Sequence, residues 1–235
     1  MPTIVFLSPK GGAGKTTAAL VMATQIARSA PVTIIDADPN HPIRAWAQGD
    51  HVPKNLTVIS DADEENIIDR IEAAAHATPF VVVDLEGTAA KIVLLAASQA
   101  NLVIIPTQGS QLDAEQASRA IKAVKDTQKM TKRAVPFSVL FTRTNPIIRT
   151  RTTVHITKTL LDAGIPVLST ELNEREAFRA MFSFRQTLEN LNTSDVSNLD
   201  KAIANAEALV SEVIGLLRSQ VASKGYPEGE AARVA

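Results

Sequence analysis

Short apolar runs alternate with stretches of helical periodicity along most of the chain. The apolar runs predict strands at 3–8, 32–36, 56–59, 80–84, 102–106, 137–142 and 167–169. The stretches between and after them predict helices at 15–28, 41–48, 63–75, 88–98, 112–130, 149–163, 174–182 and 197–222. Apolar strands that alternate with helices are typical of a mostly parallel sheet covered on both faces. The pattern therefore predicts a three-layer α/β fold with a twisted sheet of about seven strands.

The C-terminal part of the chain divides into a periodic and a non-periodic segment. In the helix 197–222, apolar residues recur at three- and four-residue spacing, which is typical of a helix docked along one face. These residues are Leu199, Ile203, Ala206, Leu209, Val210, Val213, Ile214 and Leu217. The residues after position 223 have no periodicity, so we predict a single domain over 1–223 and a disordered tail at 224–235.

Composition excludes several classes of protein. The chain has 45% hydrophobic and 21% charged residues, which is ordinary for a soluble domain. It contains no cysteine, so disulfides and thiolate metal sites are excluded, and its four histidines have no spacing suited to zinc. No apolar run approaches the ~20 residues of a membrane span, and the N-terminus lacks a signal-peptide pattern. We therefore expect a cytoplasmic protein without membrane association.

The most specific motif follows the first predicted strand. It consists of Lys10, Gly11, Gly12, Ala13, Gly14, Lys15, Thr16 and Thr17. The usual phosphate-binding loop has a glycine five residues before Gly14, but here Pro9 stands at that position and Lys10 follows it. The motif is therefore a deviant Walker A loop with a second lysine.

The residue types of this loop predict a site for ATP or ADP with Mg²⁺. The glycines let backbone N–H groups approach phosphate oxygens, and the start of the following helix adds partial positive charge. Lys15 is expected to reach the β- and γ-phosphates, and Thr16 to offer its hydroxyl to Mg²⁺. The alternative is a glycine-rich turn that binds nothing. The order of strand, loop, Lys-Thr and helix favours the phosphate site.

Acidic residues follow the predicted strands that flank this loop. An apolar strand ending in Asp84 is a Walker B pattern, which predicts a carboxylate on the Mg²⁺ side. Asp36 and Asp38 end the second strand, and we expect them to position the attacking water, with Asp36 also near the metal. The alternative for either residue is a helix cap or an Asx turn before Pro39.

Two further acidic residues have less specific surroundings. Glu86 follows Asp84 closely and is open to the same two interpretations. Asp113 lies at the start of the predicted helix 112–130, where we expect it to act as the helix cap.

Positive charge concentrates in one part of the sequence. Between Lys132 and Arg185 there are nine Lys and Arg residues against four acidic residues, although the whole chain has a net charge of −1. Such a segment is typical of a polyanion-binding surface. It is equally compatible with solvated helix faces.

Taken together, these motifs resemble those of the ParA/MinD family of deviant Walker A ATPases, and most closely the small plasmid-partition ParA proteins. The resemblance covers most of the chain and rests on segments spread along it. They are the loop 10–17, Asp36-Ala37-Asp38-Pro39, Val83-Asp84, Pro106-Thr107, Leu112-Asp113 and the looser match Arg175 to Ala180.

The resemblance implies a homodimer in which ATP is held face to face between two subunits. Lys10 would then reach the partner's nucleotide and neutralise charge on the transferred phosphoryl group. Asp38 matches the family's water-orienting aspartate, with Asp36 beside it and Asp84 on the metal side. The implied activity is weak Mg²⁺-dependent ATP hydrolysis, stimulated by a ParB-like centromere-binding partner protein.

The partition branch of the family also implies non-specific binding of duplex DNA in the ATP state, and hence nucleoid association. Arg175 falls on a position used for DNA contact in relatives. The other arginines predicted for this surface are Arg143, Arg149, Arg151, Arg179 and Arg185. Phosphate contacts of this kind weaken steeply with salt.

The sequence departs from the family pattern in three places. It begins at the strand before the loop, so we do not expect the helix-turn-helix extension of larger partition ATPases. Asn40 stands where the family has Gln, and Thr142-Arg143 replaces the usual Asn after strand six. For the adenine base we therefore predict contacts from the following loop, with Thr142, Asn145 and Pro146.

Two other functions remain open within the same family. A MinD-like membrane-cycling ATPase needs a basic amphipathic end, which the residues after 224 do not provide. An ATPase that positions a protein cargo or a conjugative DNA-processing complex would have the same nucleotide motifs.

Overall fold

Seven parallel strands form the central sheet of the protein. The computed structural model describes residues 1–85 and 90–223, so Glu86 and the predicted tail 224–235 lie outside the described residues. The strands are β1 Thr3–Phe6, β2 Val32–Ala37, β3 Leu56–Ile59, β4 Phe80–Leu85, β5 Leu102–Thr107, β6 Phe137–Thr144 and β7 Leu172–Asn173. Their order across the sheet is β3-β2-β4-β1-β5-β6-β7, with every strand pair parallel. The predicted α/β fold is therefore confirmed.

Helices cover both faces of the sheet. They are α1 Lys15–Ala27, α2 Pro42–Trp46, α3 Ile67–Ala77, α4 Ala90–Gln99, α5 Gln111–Thr131, α6 Arg151–Asp162, α7 Glu176–Phe184 and α8 Leu199–Ser223, with a short 3-10 helix at Leu188–Asn190. Helices α1, α2, α7 and α8 pack on one face, and α3 to α6 pack on the other.

Successive strand residues enter the two cores alternately, as the two-residue period of a strand requires. Phe6, Ile34, Val82 and Ile104 face α1 and α8, whereas Val5, Ile35, Val83 and Ile105 face α3 to α6. By the same alternation, Asp36 and Asp84 lie on the α1 side of the sheet. They are also neighbours in the register of β2 and β4.

Helix α1 is buried on nearly all sides. Eleven of its thirteen residues are buried, because the helix lies between the sheet and α8. A helix that is apolar all round is a core helix rather than a surface helix. The loop that joins β1 to α1 is consequently held at the centre of the sheet, with the ends of β4 and β5 on either side.

The last strand differs from the prediction. We expected a strand at 167–169, but Val167 forms a single parallel bridge with Val139, and the strand itself is Leu172–Asn173. Pro166 has no N–H to extend the ladder towards the N-terminus. Arg143, with φ of 52°, interrupts the register of β6 opposite β7. The edge of the sheet is therefore shorter and more irregular than its apolar sequence indicates.

Candidate active site

The deviant Walker A loop lies between β1 and α1 at the carboxyl edge of the sheet. Gly12 and Gly14 have φ of 77° and 86°, a conformation that side chains strongly disfavour. A Cβ added to Gly14 would also lie 3.4 Å from the Cβ of Thr142. Both glycines are thus required by the shape of the loop, as the motif predicts.

The start of α1 has backbone N–H groups without helical acceptors. Gly14 provides no side-chain cap, and the first bond of the helix runs from Ala18 N to Gly14 O, at 2.9 Å. The amides of Lys15, Thr16 and Thr17 therefore precede the hydrogen-bonded part of the helix. Such a terminus is suited to a phosphate group. Lys15 itself is buried, with 8% of its surface exposed.

Two side chains from outside the loop hold its backbone in place. The Thr142 hydroxyl donates to the Ala13 carbonyl at 2.8 Å, and the Thr107 carbonyl lies 3.2 Å from the same oxygen. The Gln108 amide donates to the Gly12 carbonyl at 2.9 Å. These hydrogen bonds connect the Walker A loop to β6 and to the end of β5. The sequence predicts a contact between Thr142 and the adenine base and contains no signal for its hydrogen bond to Ala13.

Asp84 is the most unusual charged residue of the site. Its side chain is fully buried, and neither carboxylate oxygen has a hydrogen-bond partner within residues 1–85 and 90–223. The pKa of Asp84 is raised to about 7, chiefly by burial and to a lesser extent by the negative charges of Asp36 and Asp38, while the Thr16 hydroxyl and the Lys15 ammonium group oppose the shift. A buried carboxylate without a partner is costly unless a cation completes its surroundings. Asp84 beside Thr16 therefore fits the oxygen ligands that Mg²⁺ takes beside a nucleotide.

Asp36 and Asp38 have different surroundings. Asp36 is fully buried, and its Oδ2 accepts from the amides of Ile43 and Arg44, both at 2.9 Å, at the start of α2. Burial raises the pKa of Asp36, and these backbone amides oppose the shift. The arrangement favours the capping interpretation for Asp36.

Asp38 is only half-buried and lies further along the same turn. Its Oδ1 accepts from both the backbone and the side-chain amide of Asn40, at 2.9 and 3.0 Å. This Asx turn supplies the local contact of Asn40. The other carboxylate oxygen of Asp38 has no hydrogen bond with a residue in the described ranges, so Asp38 stays the candidate for orienting water.

Lys10 contacts the start of α5. Its ammonium group is 2.6 Å from Oδ1 of Asp113, whose side chain is 3% exposed, whereas the side chain of Lys10 is 39% exposed. Asp113 does not cap α5 as we expected. Ser110 is the cap, because its hydroxyl accepts from the Asp113 amide at 3.2 Å and also contacts the Asp113 carboxylate.

The role of Asp113 could have been suspected from the Ser110-x-x-Asp113 spacing, which resembles a capping box. In that arrangement the first residue caps the helix and the side chain of the fourth is directed back towards the loop. The sequence contains no signal, however, that directs this carboxylate to Lys10.

A cavity of about 220 Å³ adjoins the loop on the side of β6 and α7. It is lined by Gly14 and Thr17 from the loop region and by Thr142, Arg143, Leu172, Asn173, Glu174, Arg175, Phe178, Arg179 and Phe182. The residues predicted for the adenine base are only partly brought together there. Thr142 lines the cavity, but Asn145 and Pro146 do not, and the Asn145 side chain accepts instead from the amides of Ile147 and Ile148.

The predicted DNA-binding arginines are in unequal surroundings. Arg149 is paired with Glu171, and Arg179 with Glu174 and Glu176, at 3.0 and 3.2 Å. Arg175 is half-buried, and its Nη2 lies 3.3 Å from the Asn173 side chain. The remaining three, Arg143, Arg151 and Arg185, are exposed and have no ion pair with another described residue.

Neither a cluster of metal-binding side chains nor a membrane-spanning helix is found in the described part of the chain. Within residues 1–85 and 90–223, no group of three or more histidine or acidic side chains is arranged to hold a metal ion. Among the helices in the described ranges, none combines the length and apolar character needed to cross a bilayer.

The sheet order, the glycine-shaped loop and the strand-end aspartates define a P-loop nucleotide-binding protein of the ParA/MinD type. The chain belongs to the VirC1 protein family, whose model matches residues 1–218. The predicted family resemblance is thereby confirmed.

Named relatives agree with this assignment. "Protein ParA" of Rhizobium radiobacter is 36% identical over 214 residues, which is 91% of this chain and 96% of the relative. "Maintenance of carboxysome distribution protein A" of Halothiobacillus neapolitanus is 24% identical over 179 residues, 75% of this chain and 82% of the relative. A solved McdA–ATP complex from Cyanothece has the same fold, with a TM-score of 0.66, 18% identity and coverage of 89% of this chain and 96% of that one.

We predict that Asp84→Asn stabilises the nucleotide-free protein at about pH 8, because it removes a buried charge without a partner. Since the folded pKa of about 7 lies above the unfolded value, the cost of Asp84 accumulates as pH rises from about 4 to about 7. The increase in the free energy of unfolding caused by Asp84→Asn should therefore be smaller at about pH 5. Urea denaturation at both pH values measures it, with exposed Asp162→Asn as the control. A gain that is equal at both pH values would contradict this account.

We also predict that Thr142→Val destabilises the protein by about 1–2 kcal/mol, because the buried Ala13 carbonyl loses its donor while side-chain volume is kept. ATP affinity should fall with it, since the loop loses its tie to β6. Thr159→Val is the matched control, because Thr159 is exposed and bonds only within its own helix. Equal losses for the two variants in urea denaturation would rule out a special role for Thr142.

Proposed function

We propose that this chain is a Mg²⁺-dependent ATPase that dimerises around ATP and segregates or positions DNA, as ParA-type partition proteins do. The proposal rests above all on the different surroundings of the two loop lysines. Lys15 is buried at the start of α1, whereas Lys10 is partly exposed and held by Asp113 at the start of α5. One loop thus has a lysine for its own nucleotide and a second lysine within reach of another subunit.

Within one subunit, each group has a defined task. The amides at the start of α1 and the Lys15 ammonium group bind phosphate oxygens and hold the nucleotide. Asp84 and the Thr16 hydroxyl would hold Mg²⁺, which would supply positive charge against the phosphate oxygens. Asp38, half-buried and near Asp84, orients the attacking water.

The second subunit completes the site. To reach the partner's nucleotide, Lys10 leaves Asp113 and brings its positive charge to the transferred phosphoryl group. Asp113 remains bonded to the Ser110 hydroxyl, which limits the cost of leaving its carboxylate without the lysine. Hydrolysis therefore depends on dimerisation.

The cavity beside the loop is the proposed place of the adenine base. It is continuous with Gly14 and Thr17, so a nucleotide whose phosphates lie on the loop extends into it. Phe178 provides an apolar surface for the base, and Arg175 provides a guanidinium plane on which an aromatic ring can stack.

Binding of duplex DNA in the ATP state is proposed to use the exposed arginines, above all Arg143, Arg151 and Arg185. Arg149, Arg175 and Arg179 belong to the same predicted set, but carboxylates already neutralise Arg149 and Arg179. A DNA-bound ParB-like partner would then stimulate hydrolysis and release the protein.

A second candidate function follows from that neutralisation. If the paired arginines contribute little, the DNA surface is small, and an ATPase that positions a protein cargo becomes the better description. The relative from Halothiobacillus, whose name refers to carboxysome distribution, supports keeping this candidate.

We predict that the protein binds a duplex of about 30 bp with ATP and Mg²⁺ but not with ADP, as measured by fluorescence anisotropy. Replacing Arg151 and Arg185 with Gln should reduce the slope of log affinity against log salt by about 2, because two phosphate contacts are lost. The matched double variant Arg149→Gln with Arg179→Gln should have a smaller effect. ATPase activity without any ATP-dependent binding of duplex would refute the DNA function and favour the protein cargo.

A further inference from the structure

A groove runs between α5 and α6 on the face of the sheet opposite α1. It consists of two adjoining cavities that share Ser118, of about 210 and 310 Å³. One lies between the first half of α5 and His155 to Leu160 of α6. The other lies between the second half of α5 and Ile165. We refer to both cavities together as the α5–α6 groove.

The floor of the groove is apolar. Ile121, Ile156 and Leu160 contribute to it and are buried, and Ile165 is half-buried. A concave site with an apolar floor is typical of a surface that another molecule covers.

The rim of the second cavity is positively charged. Lys122, Lys125 and Lys129 line it at the spacing that places residues on one face of α5. Only Lys129 has a carboxylate partner within the described ranges, Asp126 at 3.8 Å. The first cavity, in contrast, is bordered by Glu115 and His155 and has no such excess of positive charge.

This combination distinguishes between classes of partner. Nucleic acid binds such surfaces through phosphate contacts and would leave the apolar floor unused. An amphipathic helix with an apolar face uses the floor, and acidic side chains along its edge use the lysines. The length of α5 from Gln111 to Lys129, about 27 Å at 1.5 Å per residue, matches a helix of about 18 residues.

We propose that the α5–α6 groove binds an acidic amphipathic helix of a partner protein, with apolar residues on Ile121 and Ile165 and carboxylates against Lys122, Lys125 and Lys129. The proposal goes beyond the nucleotide function. It uses none of the residues of the phosphate loop, and it requires neither ATP nor DNA. Its failure would therefore leave the ATPase proposal untouched.

The test is fluorescence anisotropy with a labelled helical peptide of about 18 residues, with Leu along one face and Glu beside it, added to the nucleotide-free full chain. We expect saturable binding below ~1 mM and at least ~10-fold weaker binding of a shuffled peptide of the same composition, because the shuffled sequence has no apolar face.

Two kinds of variant locate the binding. Reversing charge at Lys122, Lys125 and Lys129 to Glu should weaken binding at least ~10-fold, whereas the same reversal at Lys54, Lys91 and Lys201 should change it less than ~3-fold. Ser118→Trp fills the junction of the two cavities without changing charge and should also weaken binding at least ~10-fold, with Ser118→Ala as its control. Circular dichroism and thermal melting establish that each variant is folded.

Three outcomes would overturn the proposal. One is the absence of saturable peptide binding to the wild-type chain. Another is an equal loss in the two triple variants, which would show attraction to overall charge alone. The third is unchanged peptide binding in folded Ser118→Trp together with loss of duplex binding in the groove triple variant, which would make the surface a nucleic-acid site.

Discussion

A carboxylate buried without a partner is the constraint on which the rest of this structure depends. Asp84 lies near the end of β4, next to β1, and its two oxygens are removed from water without a hydrogen bond from any residue in the described ranges. Burial of this charge destabilises the folded protein, and it arises because α1 packs against the sheet and α8 and closes the region to solvent. What compensates it is a cation, either the Lys15 ammonium group nearby or a metal ion brought with a nucleotide.

Much of this arrangement could be predicted from the sequence, since it depends on local chemistry. Only glycine accepts the conformation of positions 12 and 14, so the loop is visible in the residue types. An apolar strand that ends in a single carboxylate identifies Asp84. Strand and helix positions also follow from local periodicity. The exception is the irregular edge after Pro166, where backbone hydrogen bonding to β6, and not the apolar content of the sequence, determines which residues form the strand.

The remainder depends on contacts between segments distant in sequence, which a local pattern does not contain. Asp113 meets Lys10 across 103 positions, and Thr142 holds Ala13 across 129. Carboxylates neutralise arginines in the basic segment in the same way, with Arg149 on Glu171. A count of charges predicts a uniform surface, whereas the fold divides it into paired and free groups. The α5–α6 groove likewise exists only once the two helices lie side by side.

The central claim is that Lys10 acts on the nucleotide of the other subunit, and a mixture of two inactive variants tests it most directly. A Lys10→Ala subunit keeps its own Asp38, and an Asp38→Ala subunit keeps its Lys10. In a mixed dimer one site is complete if the lysine acts across the interface. An equal mixture should then recover about one quarter of the wild-type ATPase rate, because half of the dimers are mixed and each has one complete site. A mixture no more active than either variant alone would contradict the account.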